Sequence, residues 1–431
     1  MRLFTMAAAL CVATTSLGQQ VNNDSASTVR HRLVIGGYGE AVMSRNFYSD
    51  HFNRYKYPEQ HSNDGSHGRV DLPHVTLNLG YDFGKGWSMG MEVEFEHGGT
   101  ESAVEMDADE SGEYEAEVER GGEVALEQFW IQKSFSKALN LRAGEIVVPV
   151  GATNQRHMPT EFFTVYRPEG ENTLLPCTWH QTGLALWGRM RDWRYEVQLL
   201  SGLDSERFGA ESFVHDGAGS PYEFKIANTL AAAARVDNYS VKGLRMSISG
   251  YLGDTFSNTL RSHNAARYDG CKGRLAIGAF DFMLDRWNWI VRGNVDYAHL
   301  SDASLISTFN NSFPKHSGQD GTPSKHQPVA SNAVCVGMEA GYDVLSQLIS
   351  NRNEQKLYVF GRYEYYNSMA AGASKASYKW CERNRFAAGL NYYPMKEIVV
   401  KAEYSYRAFK SPYNNEPSLN IGIAYSGWFG R

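Results

Sequence analysis

The sequence predicts an all-β fold, a transmembrane antiparallel β-barrel of about sixteen strands. Apolar and polar residues alternate through many segments of about ten residues, and the connections between these segments alternate between long and short. In residues 397–409, one set of alternate side chains is apolar and includes Val400 and Tyr404. The opposite set is polar and includes Lys401 and Glu403. Because a strand directs alternate side chains to opposite faces, this segment has one apolar face and one charged face.

The composition excludes a helical membrane protein. Hydrophobic residues make up 42% of the 431 residues and charged residues 21%. No stretch after residue 20 approaches the roughly 18 apolar residues of a membrane-spanning helix. Strand-favouring aromatic residues are abundant, with 25 Tyr, 21 Phe and 9 Trp. A chain of this length and composition fits either several soluble β-domains or one large barrel.

Residues 1–18 are predicted to be a signal peptide, and residues 19–431 to form a single barrel domain. Arg2 provides a positive start, and the segment from Leu3 to Leu17 is apolar and too short to span a bilayer. Small residues such as Gly18 suit cleavage after this segment. Export and a barrel together predict localisation to the cell outer membrane.

The rest of the chain divides into sixteen candidate strands. Short connections carry turn-forming residues, as in Gly84-Lys85-Gly86, whereas long ones include 45–69 and 149–179. A soluble sandwich has no reason to make every second connection long, but an outer-membrane barrel has tight periplasmic turns and long external loops. The candidate strands are 32–44, 70–83, 86–98, 123–135, 138–148, 180–190, 193–201, 226–237, 241–254, 272–284, 287–299, 331–344, 355–368, 380–393, 396–409 and 417–429.

The charged faces of these strands are predicted to line the lumen. An Arg or Lys on the lipid face at mid-bilayer would cost about 2–4 kcal/mol, so the charges belong on the opposite face. The predicted lumen-lining residues are Glu92, Glu94, Arg245, Arg292, Asp296, Arg385, Lys401, Glu403 and Arg407.

Two stretches resemble a known family. They are IGGYGEAVMSRNF, residues 35–47, and LRAGEIVVPVGATNQRHMPTEFFTVYRPEGENTLLPCTWHQTGLALWG, residues 141–188. Both are similar to the phosphate-selective porins of outer membranes, and more closely to porin-like relatives from the Bacteroidetes. The resemblance implies a sixteen-stranded barrel, usually a homotrimer, whose third long loop folds inward and narrows the channel. That loop is 149–179 here.

The loop 149–179 is therefore the candidate pore constriction. Charged side chains that face one another across a narrow water path create a field that sorts solutes by charge. Alternatively, Arg167 pairs with Glu169 or Glu171 and holds the loop against the wall, which is compatible with the first role. The constriction candidates are Arg156, His157, Arg167, Glu169 and Glu171.

One segment dominates the net charge. The formal charge is −6, and residues 100–123 alone contribute −9, which leaves about +2 for the rest of the predicted mature chain. Asp107 and Asp109 match the start of a calcium-binding loop, but Val118 replaces the essential Glu. We expect a solvated external segment that contacts lipopolysaccharide through divalent ions. A balance near neutral elsewhere predicts at most a mild preference for anions, phosphate included.

The predicted function is passive diffusion of small hydrophilic solutes through a water-filled channel, without enzyme activity. No cofactor, metal site or nucleic-acid partner is predicted, because the sequence has no GxSxG, HExxH or Walker motif and its histidines are scattered. Two alternatives stay open. One is a lipid-hydrolysing barrel enzyme that uses Ser66–His67 or Ser262–His263, and the other is an exported soluble β-protein that binds a ligand.

Four cysteines remain after the predicted signal peptide: Cys177, Cys271, Cys335 and Cys381. This number is too small for a disulfide framework in so long an exported chain. One bridge between loops is compatible with the sequence, which leaves its pairing open.

Overall fold

The computed structural model describes residues 32–98, 102–108, 114–120, 123–219, 224–259, 268–311, 328–349, 354–372 and 378–430. The predicted signal peptide and Ser262–His263 lie outside these residues. The strands are β1 (Arg32–Asn46), β2 (His67–Asp71), β3 (His74–Gly84), β4 (Trp87–Glu96), β5 (Ser102–Ala108), β6 (Tyr114–Arg120), β7 (Glu123–Ser136), β8 (Leu139–Val147), β9 (His180–Met190), β10 (Trp193–Leu200), β11 (Ala231–Asn238), β12 (Leu244–Asp254), β13 (Arg274–Arg286), β14 (Trp289–Leu300), β15 (Asn332–Asp343), β16 (Lys356–Ala371), β17 (Glu382–Met395), β18 (Ile398–Ala408) and β19 (Glu416–Gly430).

Short helices occupy some of the connections: α1 (Glu169–Leu174), α2 (Ala303–Asn310) and α3 (Leu345–Leu348). Single 3₁₀ turns lie at Phe52–Tyr55, Ser205–Arg207, His215–Ala218, Phe256–Asn258 and Lys379–Cys381. Within the described part of the chain, no helix is long and apolar enough to cross a bilayer.

The main sheet is antiparallel and closes on itself. Strand β1 pairs along one edge with β19, and along the other edge with β2 and β3 in succession. Met43 of β1, for example, lies opposite both Ile421 and Val70. Pro73 separates β2 from β3 and lacks the N–H that would continue the ladder. The two short strands thus occupy one position in the wall, which makes a closed barrel of sixteen strands and confirms the predicted fold class.

The two faces of the wall have the reverse polarity of a soluble barrel. In β10, Val197 and Leu199 face outward and are 51% and 48% exposed. Arg194, Glu196 and Gln198 alternate with them and are buried inside. Large apolar side chains are exposed on the outer face of strands all around the sheet. Water would strongly disfavour such a surface, whereas hydrocarbon would not.

The connections follow the alternation of long and short that the sequence predicts. At the tight turn after β3, Gly84, Lys85 and Gly86 all have positive φ angles of 77°, 53° and 77°, a region that glycine enters without strain. The long connection 99–122 contains one feature that the sequence did not predict. There β5 and β6 pair with each other in a two-stranded sheet of their own.

Cys177, Cys271, Cys335 and Cys381 are all free thiols, and the last three are buried. The disulfide that the sequence left open therefore does not form between any of them in this structure.

The inverted wall makes a prediction about stability in a bilayer. Val295 lies near the middle of β14 and is 47% exposed on the apolar face. Because lipid cannot solvate a guanidinium group, Val295→Arg should lower the free energy of unfolding in lipid vesicles by about 2–4 kcal/mol, measured by urea titration. Trp287→Arg, in the turn before β14, is the control and should cost less than about 1 kcal/mol. Equal costs for both would contradict burial of this face in lipid.

Candidate channel constriction

The third long loop, residues 148–179, leaves the wall after β8 and folds into the barrel. Its ends meet at the wall, where the Val148 N–H donates to the Trp179 carbonyl at 2.9 Å. The buried carboxylate of Glu171 accepts hydrogen bonds from the backbone N–H groups of Ala152 at 2.7 Å and Thr153 at 2.6 Å. Glu171 thus joins the start of the loop to α1 and gives the loop a fixed shape of its own.

Strand β18 holds the middle of the loop through two lumen-facing side chains. The Lys401 ammonium donates to the carbonyls of Phe162 at 3.0 Å and Thr164 at 2.8 Å. Glu403, two residues later on the same face, accepts from the Val165 N–H at 2.8 Å. These bonds satisfy backbone groups that would otherwise be buried without partners. Lys401 and Glu403 therefore hold the loop in place.

Glu169, the first residue of α1, forms ion pairs across the lumen. Its carboxylate lies 3.1 Å from Arg385 and 2.7 Å from Arg407, and it also accepts from the Tyr366 hydroxyl. Burial alone would raise the pKa of Glu169, but Arg407 and Arg385 outweigh that effect and lower the pKa below its ordinary value. The residue is therefore ionised at neutral pH and holds α1 against β17 and β18.

The next residue shows how closely α1 approaches the wall. The Gly170 N–H donates to Glu364 of β16 at 3.0 Å. A Cβ atom at Gly170 would lie only 2.6 Å from the Cys335 sulfur. Any larger residue here would push α1 away from the wall, which explains the glycine between the two acids Glu169 and Glu171.

Arg167 fixes the other side of the loop. Its guanidinium lies 3.6 Å from the Glu94 carboxylate and 3.4 Å from the Tyr38 hydroxyl, and its Nε–H donates to the His157 carbonyl at 3.3 Å. Burial lowers the pKa of His157 to about 4, and the charge of Arg167 adds to this effect. His157 is therefore neutral at physiological pH, and Arg167 provides the positive charge on this side.

Of the five constriction candidates, the structure places Arg156 and Glu169 in partly exposed positions. His157, Arg167 and Glu171 are buried between the loop and the wall. Arg167 pairs with Glu94 of the wall, and not with either loop glutamate that the sequence analysis considered. The loop is thus held by contacts that cross the lumen. The sequence of the loop alone does not identify them, because the partners lie on distant strands.

All nine predicted lumen residues contact or directly face the third loop or its ion-pair networks. Arg292 and Arg407 are partly exposed, and the other seven are buried. The wall also contains charged residues that the sequence analysis did not select, although they follow the same alternation along β10, β11, β13, β15 and β16. These are Arg194, Glu196, Arg235, Asp237, Asp281, Glu339, Arg362 and Glu364.

Nearly all of these wall charges are paired with each other. Arg235, for example, lies 2.7 Å from Asp237 and 2.8 Å from Asp281. Asp281 also binds Arg245 at 2.6 Å. The ladder of alternating signs therefore neutralises itself over most of the lumen, and the remaining field depends on the few groups that are partly exposed.

A group of three basic side chains lies beside the loop, and two of them, Arg156 and Arg292, are partly exposed. Arg156, Arg245 and Arg292 all act on the carboxyl group of Glu161. Burial raises the pKa of Glu161, and these three bases oppose that shift. Three basic side chains and Glu161 thus lie together where the loop approaches β12 and β14, and Arg292 and Arg245 also pair there with Glu339 and Asp281.

Two further connections fold inward and pack on the back of the loop. The Val214 N–H, after β10, lies 3.4 Å from the Leu174 carbonyl of α1. Trp179, Phe213 and Ile306 of α2 belong to one apolar cluster and are completely buried. The resemblance to the porin family implied inward folding for the third loop only, so the inward course of these two connections was not expected.

Ser66 and His67, considered above as a nucleophile and its base, have separate partners. The Ser66 hydroxyl lies 2.5 Å from the Arg45 guanidinium. The His67 ring contacts the Asn46 side chain at 3.0 Å and the Tyr48 carbonyl at 3.1 Å. The two side chains therefore do not form a catalytic pair in this structure.

Comparison with known proteins places the fold among the porins. No family model matches the chain. An uncharacterized protein of Aquifex aeolicus (strain VF5) is 26% identical over 394 residues, which cover 90% of this chain and 78% of that protein. Among solved structures, the anion-selective porin from Comamonas acidovorans has a TM-score of 0.52 at 9% identity and covers 92% of this chain and 100% of its own.

Two other solved structures are similar to the same extent. The outer membrane channel DcaP of Acinetobacter baumannii has a TM-score of 0.52 at 9% identity, over 94% of this chain and 99% of its own. Salmonella typhi OmpF has a TM-score of 0.50 at 10% identity, over 93% and 98%. At these identities the likeness shows the fold: the chain is a sixteen-stranded barrel of the outer-membrane porin type.

The ion pairs of Glu169 make a prediction about loop anchoring. Glu169→Gln should lower the free energy of unfolding by about 2–3 kcal/mol at pH 7, because it leaves Arg385 and Arg407 with one fewer counter-charge. A depressed pKa adds stability above the ordinary value of 4.5, and this contribution is lost as the pH falls through the folded pKa. The difference between wild type and variant should therefore close in acid, as measured by denaturant titration across pH.

Glu397→Gln is the control for this experiment. Glu397 lies 3.4 Å from Lys396 in an exposed pair, so its loss should cost less than about 1 kcal/mol. If Glu169→Gln behaved like this control, the loop would not be held by the pairs described.

Proposed function

We propose that this protein is an outer-membrane porin, a water-filled channel for the passive diffusion of small hydrophilic solutes. One observation carries the proposal: a closed barrel with an apolar outer face holds an inward-folded loop by charged contacts with its polar inner wall. A soluble binding protein would place its apolar face inside. A polar barrel interior is typical of water-filled channels.

We further propose a mild preference for anions. Arg156 and Arg292 are partly exposed and lie with Arg245 near Glu161, while Arg292 and Arg245 also pair with Glu339 and Asp281. The partly exposed guanidinium groups of Arg156 and Arg292 would favour anions at this point of the water path, because fully buried pairs contribute little at a distance. The porin from Comamonas acidovorans, which is described as anion-selective, shares the fold. Membership of the phosphate-selective family stays a prediction of the two sequence stretches.

Localisation to the cell outer membrane and assembly as a homotrimer belong to the same proposal. A flat patch of small outward residues supports close contact between barrels: Ala234 pairs with Gly250, and Gly250 pairs with Gly278. In lipid, small residues let neighbouring backbones approach each other closely. Chemical cross-linking in native membranes should give a trimer that Gly250→Trp weakens. A monomer under all conditions would contradict this part of the proposal.

Single-channel recording in planar bilayers tests the function. Wild-type protein should give stepwise conductance, and a salt gradient should give a reversal potential on the anion side. Arg156→Gln should move that potential toward cation preference, because it removes one of three clustered positive charges. Arg191→Gln, in the exposed turn between β9 and β10, removes the same charge away from the loop and should leave the potential nearly unchanged.

The absence of conductance steps in several lipid compositions would refute the channel. Stepwise conductance with a cation-selective potential would retain the channel and refute the role of the basic group. A hydrolase would instead release fatty acids from lipid vesicles, a reaction that the channel does not predict.

A further inference from the structure

A cluster of buried polar atoms without partners lies between the third loop and the wall. Its members are Glu92 on β4, Glu127 on β7 and His157 on the loop, which are 3%, 2% and 1% exposed. One carboxylate oxygen of each glutamate and one ring nitrogen of His157 lie within 4.8 Å of one another. Glu92 Oε1, Glu127 Oε2 and His157 Nε2 have no hydrogen-bond partner among the described residues. Unsatisfied buried atoms are costly, so three together indicate that something binds there.

A β-bulge brings the second glutamate into this cluster. Glu92 pairs with Gln128 of β7, but the next residue, Val93, pairs with Leu126, so Glu127 is an extra residue in the ladder. As a result Glu127 and Gln128 are both buried, although neighbours in a strand normally face opposite sides. Bulges redirect side chains and are frequent beside functional sites.

Hydrogen bonds to the outer atoms of the cluster orient two of its ligands. His157 Nδ1 lies 3.0 Å from the Asn154 carbonyl, which can only accept, so Nδ1 carries the proton. The lone pair of His157 is then on Nε2, the atom without a partner. The other oxygen of Glu92 accepts from the Gln128 amide. Carbonyl and amide partners of this kind orient the ligands in metal sites.

The charges of the region balance only with an added cation or with protons on the carboxylates. Glu92, Glu94 and Glu127 are three acids that act on one another, Arg167 acts on all three, and the His74 ring lies 2.9 Å from the Glu94 carboxylate. His157 is neutral. The region therefore carries an excess of about two negative charges if all three acids are ionised, and a buried excess of this kind requires a counter-ion or protons.

We propose that Glu92, Glu127 and His157 bind a divalent first-row transition-metal ion such as Zn²⁺ or Mn²⁺. Two carboxylates and one imidazole without a thiolate suit these ions better than Ca²⁺ or Cu⁺. The ion joins the loop to two strands of the wall and so supports the inward position of the loop. This site is independent of which solutes the channel passes.

Metal binding to the full-length protein in detergent tests the site. After treatment with EDTA, the protein is loaded with Co²⁺, exchanged into metal-free buffer and analysed for metal per chain and for cobalt absorption in the visible range. Wild type should retain about one ion per chain. Glu127→Gln and His157→Gln should each lose it. EDTA should lower the melting temperature of wild type and leave that of Glu127→Gln unchanged.

His180→Gln is the matched control, because His180 also lies at the loop and pairs with a glutamate, Glu145, at 2.7 Å. It should retain the ion. Heat-modifiable migration in gels establishes that each variant is folded, and Glu92→Gln replaces any variant that is not.

Two outcomes would overturn the proposal. If the wild type retains no ion and EDTA leaves its melting temperature unchanged, protons balance the carboxylates. If all variants retain as much Co²⁺ as wild type, the ions lie elsewhere, and the acidic residues within 100–123 are then the candidate.

Discussion

The structure depends on one constraint: a charge on the inner wall must find a partner where the third loop covers it. Lys401, Glu403 and Arg385 are almost completely buried, and water cannot solvate them. Their partners are carbonyls and N–H groups of the loop and carboxylates of neighbouring strands. The loop needs the wall to satisfy its backbone, and the wall needs the loop to satisfy its charges. Each therefore stabilises the other, and the loop and the barrel form one unit.

The sequence predicts the wall well, for a physical reason. A strand between lipid and a polar lumen must alternate, since a charge on the outside or a long apolar stretch on the inside is costly. All sixteen predicted strands are present, and 180–190 matches β9 at both ends. The division between β2 and β3 also has a local cause, because Pro73 cannot donate to the ladder. The prediction succeeds for strands that have lipid on one face and the polar lumen on the other, because each face then selects one class of residue.

The alternation of residues does not predict the course of the loops or the contacts of the site, because these contacts join residues that are distant in sequence. Arg167 pairs with Glu94, 73 positions earlier, and not with the acids beside it. The bulge at Glu127 breaks the alternation on which the strand assignment rests, so an acid that a regular strand would turn outward lies inside. Apolar residues of the connections after β10 and β14 pack on the loop without any periodic pattern. Such features arise from three-dimensional packing and leave no periodic pattern in the sequence.

Because the charges of the wall neutralise each other, the net charge of the chain does not predict which ions a channel would prefer. Overall charge is dominated by residues 100–123, and lumen charges such as Arg235 and Asp281 cancel within 3 Å of each other. In the proposed channel, a solute would meet mainly the side chains that remain partly exposed, and Arg156 is one of these on the loop. A count of lysines and arginines cannot separate paired from exposed charges. If the proposed channel function holds, charge selectivity depends on where the loop places its side chains, and contacts that hold the loop, such as those of Glu169, also determine the local field.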